Sequence, residues 1–179
     1  MKKTLLFLLG LLGLAGCTGI PQGLDPVKGF DVNRYLGTWY EIARLDHSFE
    51  RGLNNVTADY TLRSDGGIDV LNKGYDREKG AWKEAEGKAY FLGEKDVGRL
   101  KVSFFGPFYG GYNVIALDRE EYSWSVVCGP DLKYFWILAR QPQMDSATLK
   151  ELVGFAAARG FDTDGLIVVD HSTVGDGTK

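Results

Sequence analysis

Val56-Thr57-Ala58-Asp59-Tyr60-Thr61-Leu62 alternates apolar and polar side chains at every step. A period of two puts successive side chains on opposite faces of an extended chain, so the stretch predicts a strand with one covered and one wet face. Leu100-Lys101-Val102-Ser103-Phe104 repeats the pattern. Working outward, the spacing predicts eight strands near 38–46, 56–62, 68–75, 81–91, 99–105, 112–118, 122–128 and 134–140, broken by turn formers such as Asp65-Gly66-Gly67 and Asp118-Arg119-Glu120-Glu121. No helix intervenes. Short sequential connections favour antiparallel up-and-down pairing, and closure removes the sheet edges. The expected fold is all-β, an eight-stranded up-and-down antiparallel barrel with one flanking α-helix.

That helix is written after the strands. Asp145 is placed to cap it, Leu149, Leu152, Val153 and Ala156 recur at helical spacing, and Gly160 is placed to end it. A single apolar stripe predicts packing on the outside of the barrel. Leu166 to Val169 then suffices for one short closing strand.

At the other end, Lys2 and Lys3 precede an apolar run from Leu5 to Leu14, the layout of a secretory signal peptide. The run falls well short of the roughly 20 residues that span a bilayer. Leu14-Ala15-Gly16-Cys17 resembles the lipobox of bacterial lipoproteins, which implies cleavage before an acylated Cys17; Thr18, which is not Asp, then favours the outer membrane. The expected organisation is a signal peptide over 1–16, a lipidated N-terminus and tether over 17–33, a barrel domain over 34–170 and a flexible tail over 171–179. The tether reading rests on Gly23, Pro26 and Gly29 among polar residues.

Composition excludes several functions. Lys and Arg number 21 against 24 Asp and Glu, a net charge of −3; loss of Lys2 and Lys3 with residues 1–16 leaves 19 against 24, or −5. No basic patch interleaved with aromatics points to nucleic acid. Of the two cysteines, an acylated Cys17 leaves Cys128 without a partner in the chain, so the fold stands without a disulfide. Val126 and Val127 beside Cys128 predict a buried, inert thiol. No metal-ligand spacing, phosphate loop or cofactor motif occurs.

Gly37-Thr38-Trp39-Tyr40-Glu41-Ile42-Ala43-Arg44 resembles the signature of the lipocalin family, and Trp136-Ile137-Leu138-Ala139-Arg140 resembles the family's third conserved region. Tyr112-Asn113-Val114-Ile115-Ala116-Leu117-Asp118 lies between them. With the lipobox, the chain is similar to the bacterial outer-membrane lipoprotein lipocalins of the Blc type. The resemblance implies a calyx whose closed end is capped by Trp39 with Arg140 across it.

Strand parity then predicts the calyx lining. In the fourth strand Trp82, Glu84, Glu86 and Lys88 share the face that needs water, so Ala85, Gly87 and Ala89 point inward and leave space. The same rule turns Val56, Ala58, Tyr60 and Leu62 inward, with Ile68, Val70 and Asn72, and with Leu100, Val102 and Phe104. For the eighth strand the resemblance implies Tyr134, Trp136 and Leu138 on Arg140's face. Strands six and seven are apolar on both faces and parity leaves them open, with Tyr112 and Val114 the favoured inward pair.

Loops 47–55, 76–80, 106–111 and 129–133 gather at one rim carrying Phe49, Phe108 and Tyr109 beside Gly106, Gly110 and Gly111. An aromatic mouth suits a ligand entering tail first, or a protein partner such as a second copy of the chain. Bilayer and calyx offer an acyl tail the same gain, about 0.8 kcal/mol per methylene, so the lipid to expect is one the bilayer holds loosely: a single-chain fatty acid or lysophospholipid. The expected ligand contacts are Tyr60, Val70, Asn72, Ala89, Phe104, Tyr112, Tyr134 and Trp136, with Asn72 and, nearer the mouth, Tyr112 for the polar end. Catalysis has thin support. His47 and His171 are the two histidines, and Asp46-His47-Ser48 holds triad residue types as chain neighbours, which rarely converge as a triad must. The reading is a non-enzymatic lipid-binding lipocalin anchored in the outer membrane and facing the periplasm. Its rivals are a lipid-modifying enzyme using His47 and an interaction module using the rim.

Overall fold

The computed structural model describes residues 18–172. The expected signal peptide, Cys17 and residues 173–179 lie outside them. A short helix α1 (Val32–Tyr35) leads into β1 (Gly37–Leu45), β2 (Leu53–Leu62), β3 (Ile68–Asp76), β4 (Ala81–Phe91), β5 (Arg99–Phe105), β6 (Phe108–Leu117), β7 (Trp124–Cys128) and β8 (Phe135–Ala139); α2 (Ser146–Ala157) and β9 (Leu166–Val168) follow. Each of β2 to β8 pairs antiparallel with its predecessor, β8 returns to β1, and β1 meets β2, closing the barrel expected from periodicity. The predicted loop 106–111 is only a turn at Gly106-Pro107, because Phe108 and Tyr109 already belong to β6.

β1 divides its pairing. Gly37 to Tyr40 face β2, whereas Ala43 to Leu45 face β9, so the closing strand occupies the place beside β1 that β2 has left. Leu53, Val56 and Val169 fill the seam, and Asn55 N–H bonds the Asp170 carbonyl at 2.9 Å. His171, expected in a frayed tail, instead places Nε2 2.8 Å from the Glu41 carbonyl oxygen and sets its ring edge-on to Tyr40.

Two apolar cores result from the two faces of one sheet. Inside the barrel Trp39, Tyr60, Ile68, Val70, Leu100, Val114 and Val127 pack together. Outside, Ile42, Ile115, Val126 and Ile137 meet Leu152 and Ala156 of α2, the two buried members of its stripe. Asp145 caps α2 as expected, accepting from Thr148 N–H at 2.8 Å. The predicted tether differs from expectation: Leu24, Val27 and Phe30 are buried. Val27 N–H bonds Val114 O and its carbonyl accepts from Gly98, so residues 24–30 are laid down the barrel wall toward its closed end. Three apolar side chains in the segment outweigh its Gly and Pro content. Among the described residues, no helix is long and apolar enough to cross a membrane.

Candidate ligand-binding site

The blocked end of the calyx is built first. Trp39 is fully buried, and its indole N–H donates to Tyr35 O at 2.8 Å, which fixes α1 across the opening. The Arg140 guanidinium lies 3.9 Å over the indole and donates to Thr38 O and Arg34 O at 2.9 and 2.6 Å. Arg140 thus ties α1 to β1 as well as covering the ring.

Above Trp39 sits a cluster of hydroxyls. Tyr112 Oη stands 2.8 Å from Tyr35 Oη and 3.0 Å from Tyr60 Oη, and Tyr35 Oη 3.0 Å from Ser125 Oγ. Burial pushes the Tyr35 phenol up to about 12, against the pull of its bonds to Ser125 and Tyr112. Burial also raises Tyr60 and Tyr112, so all three stay neutral and share protons among themselves. The polar end of Tyr112 therefore belongs to the floor, not near the mouth as expected.

The walls follow parity closely. Tyr60, Val70, Asn72, Ala89, Phe104, Tyr112 and Trp136 all line one cavity, joined by Val56, Ala58, Ile68, Leu100, Val102, Val127 and Leu138. Gly87 is needed here, since a Cβ on it would stand 2.8 Å from the Phe104 ring. Three positions depart from expectation, and the first is Ala85, which is exposed on β4 and not among the cavity-lining residues. Leu62 is exposed at the end of β2. Tyr134 precedes β8 and joins the rim, stacked with Trp136 at 6.3 Å and Phe49 at 6.3 Å, so it is not among the cavity-lining residues.

Sequence parity missed a buried polar group on this wall. A β-bulge between Glu41 and Ala43 sets Glu41 opposite Leu138 and Arg44 opposite Trp136, so both face inward although they are three residues apart. Arg44 Nη1 meets Glu41 Oε1 at 2.7 Å, while Nη2 donates to Glu50 O and Leu53 O at 3.0 and 3.1 Å. The bulge could not be seen in the sequence; the Glu and Arg within an otherwise apolar signature were the available hint. His47 is buried too, its Nε2 3.0 Å from Glu50 Oε2, and it stacks on Phe49 at 3.9 Å. That pairing commits the ring to Glu50 and gives the triad reading no support.

The geometry defines a class: a closed up-and-down barrel with a plugged floor, an aromatic rim and a mostly apolar interior sized for a small ligand. Residues 30–171 match the model of the Lipocalin-like domain, and the chain belongs to the lipocalin family. It is 56% identical over 171 residues to Outer membrane lipoprotein Blc of Vibrio cholerae, covering 96% of this chain and 99% of that protein. The protein of the same name from Escherichia coli K12 is 58% identical over 151 residues, covering 84% of this chain and 85% of its own. Temperature-induced lipocalin-1 of Arabidopsis thaliana is 37% identical over 148 residues, 78% of each chain. Among solved structures, insecticyanin of Manduca sexta superposes with a TM-score of 0.68 at 24% identity, covering 87% of this chain and 88% of that one, which speaks to the fold alone. These relatives carry the names of lipoproteins and lipocalins.

Proposed function

We propose that this chain is a carrier of single-chain lipids in the bacterial envelope, held in the outer membrane by acylated Cys17 and facing the periplasm. The observation that carries the reading is the continuous apolar lining from Val70 and Phe104 to Trp136, open at an aromatic rim, in a chain similar to outer-membrane lipoproteins. A tail placed there leaves water as completely as in a bilayer, at about 0.8 kcal/mol per methylene. Since the bilayer offers the same, the carrier is selective for lipids with one tail, fatty acids and lysophospholipids among them. Tyr60, Val70, Asn72, Ala89, Phe104, Tyr112 and Trp136 are the contacts of this reading.

The test is a titration of the chain from Thr18 to Lys179, which holds every element described, by tryptophan fluorescence. Saturable binding of single-chain lipids, weaker binding of two-chain phospholipids and loss of binding on Trp136→Asp are the expected results. Equal affinity for both lipid classes, or binding untouched by Trp136→Asp, refutes it.

A further inference from the structure

The start of the described chain is fixed at the open end of the barrel. Thr18 and Gly19 lie against Gly111 on β6, where a Cβ would stand 2.6 Å from Gly19 O and 3.4 Å from the Thr18 carbonyl carbon. Asn113 Nδ2 donates to Gly19 O at 3.0 Å and reaches Gly129 O, just past the rim end of β7, at 3.2 Å. Ile20 and Leu24 then join the outer core, and Val27 and Phe30 bond to Val114, Gly98 and Asp96 on the way to the closed end. Bonded along its length, the segment has no slack to let out. Cys17 is the next residue before Thr18, so its Cα lies within about 4 Å of that of Thr18. Phe108, at the tip of β6, is three residues from Gly111, roughly 10 Å along the strand. An acyl group on Cys17 therefore leaves the molecule at the level of the mouth.

The same end carries the exposed rings. Among the described residues the exposed aromatic side chains are Phe49, Trp82, Phe105 and Phe108. Phe49 belongs to the β1–β2 loop and Trp82 to the start of β4, while Phe105 and Phe108 flank the β5–β6 turn and pair across it. Phe105 and Phe108 are 82% and 78% exposed, and neither lines the calyx. Charged rim side chains are mixed in sign and pair where they meet, as Asp46 does with Arg51 at 2.7 Å. The closed end is the opposite, its turns exposing Asp65, Glu94, Lys95, Asp96, Arg119 and Glu120 to water. Rings held in water beside a lipid attachment point fit the headgroup layer of a bilayer, where an apolar face and a wet edge are both satisfied.

We propose that the open rim docks on the surface of the bilayer that holds the anchor, with Phe105 and Phe108 dipping into its headgroup layer. The calyx mouth then faces lipid, and a single-chain lipid passes between bilayer and calyx without crossing free solution. This rests on the acylated-Cys17 reading and adds an orientation to it. A second copy of the chain is the rival cover for the rings, but the anchor brings a lipid surface within their reach in every molecule.

The test uses the acylated full chain in phosphatidylethanolamine–phosphatidylglycerol vesicles whose upper acyl carbons carry bromine, a contact quencher. Phe108→Cys at the rim and Leu62→Cys at the closed end, both exposed positions, each give one dye site, since Cys128 is buried and an acylated Cys17 is blocked. The dye at position 108 should be quenched several-fold more strongly than the dye at position 62. Equal quenching at the two, or stronger quenching at 62, would overturn the orientation while leaving the anchor standing. A dye at 108 that is shielded from water yet unquenched by lipid, in a chain that sediments as a dimer, would assign the rings to a second copy and overturn it too. Phe105→Ser combined with Phe108→Ser should slow delivery of a fluorescent lysophospholipid from vesicle to anchored calyx about tenfold, by removing two apolar side chains from the contact. Delivery at the parent rate would refute the docking role of these rings. A free Cys17 thiol in the membrane-purified chain would overturn the anchor and the docking with it.

Discussion

The guanidinium of Arg140 lies 3.9 Å above the indole of Trp39 while donating to two main-chain carbonyls, Thr38 O and Arg34 O. One side chain on the residue after β8 thereby joins the start of β1 to α1 and roofs the plug of the barrel. Cation over an indole face contributes roughly 0.5 to 2 kcal/mol, and each hydrogen bond from a charged group adds about 1.5 kcal/mol or more. Because Arg140 is only half-buried and water replaces part of what both carbonyls lose, Arg140→Ala should lower the denaturant-derived stability by less than that sum, about 2–3 kcal/mol, and leave lipid affinity within twofold of the parent, roughly 0.4 kcal/mol. Arg140→Lys keeps the charge but loses the planar fork, and should recover less than half of the loss. A variant of full stability that no longer bound lipid would mean that Arg140 serves the ligand and not the closed end.

Tyr112 is the middle member of the floor cluster, since its hydroxyl meets both Tyr35 and Tyr60. Tyr112→Phe removes two contacts while leaving the ring in place, and should destabilise by about 1–2 kcal/mol. Tyr60→Phe breaks one contact at the end of the chain and should cost less. Thermal denaturation of the two variants side by side checks the order. The reverse order would put the hub at Tyr60.

Much of the barrel could be read from residue alternation because a one-faced strand writes its burial directly into the sequence. Ile68, Val70 and Asn72 on β3 and Leu100, Val102 and Phe104 on β5 all line the calyx as parity requires. Parity fails wherever the backbone departs from a regular pleat. The β1 bulge turns Glu41 and Arg44 to the same side, and Tyr134 leaves the strand before its parity applies. Residues 24–30 differ for another reason: their burial depends on a groove formed by Gly98, just before β5, and Val114 of β6, far along the chain. Composition carries no record of such a groove. The hydroxyl floor was missed likewise, because α1 brings Tyr35 to Tyr112 across 77 positions of sequence.

The proposed anchor makes a prediction independent of the calyx. Cys17→Ser should abolish the mass increment of the acyl groups and leave residues 1–16 uncleaved, because the lipobox reading has cleavage fall before an acylated Cys17. Intact mass of the membrane-purified parent chain should exceed that of the Cys17–Lys179 polypeptide by diacylglycerol plus one acyl group. A free, unmodified Cys17 thiol in that material would refute the lipoprotein reading while leaving the fold untouched.

Alkaline pH should unfold this protein earlier than its neutral stability suggests. Burial pushes the Cys128 thiol from an ordinary 9.0 up to about 12, and Tyr35 from 10.0 up to about 12, with Tyr60 and Tyr112 also raised. All four are neutral when protonated, so a raised value means that the folded state keeps protons the unfolded chain gives up. Their contribution is fully present below the unfolded values and is lost as pH climbs from there toward the folded ones. Each group weakens folding by up to about 1.4 kcal/mol per pH unit in that window. Denaturant midpoints from these groups should therefore hold steady up to about 8.5, decline first as unfolded Cys128 ionises, and fall more steeply past about 10 as the three phenols join. Cys128→Ala should remove the early decline and keep the steep one; Tyr60→Phe should soften the steep one only. Midpoints that stay level to about 11 would show that these side chains meet water in the folded state, and that the calyx floor is not the dry, closed structure described above.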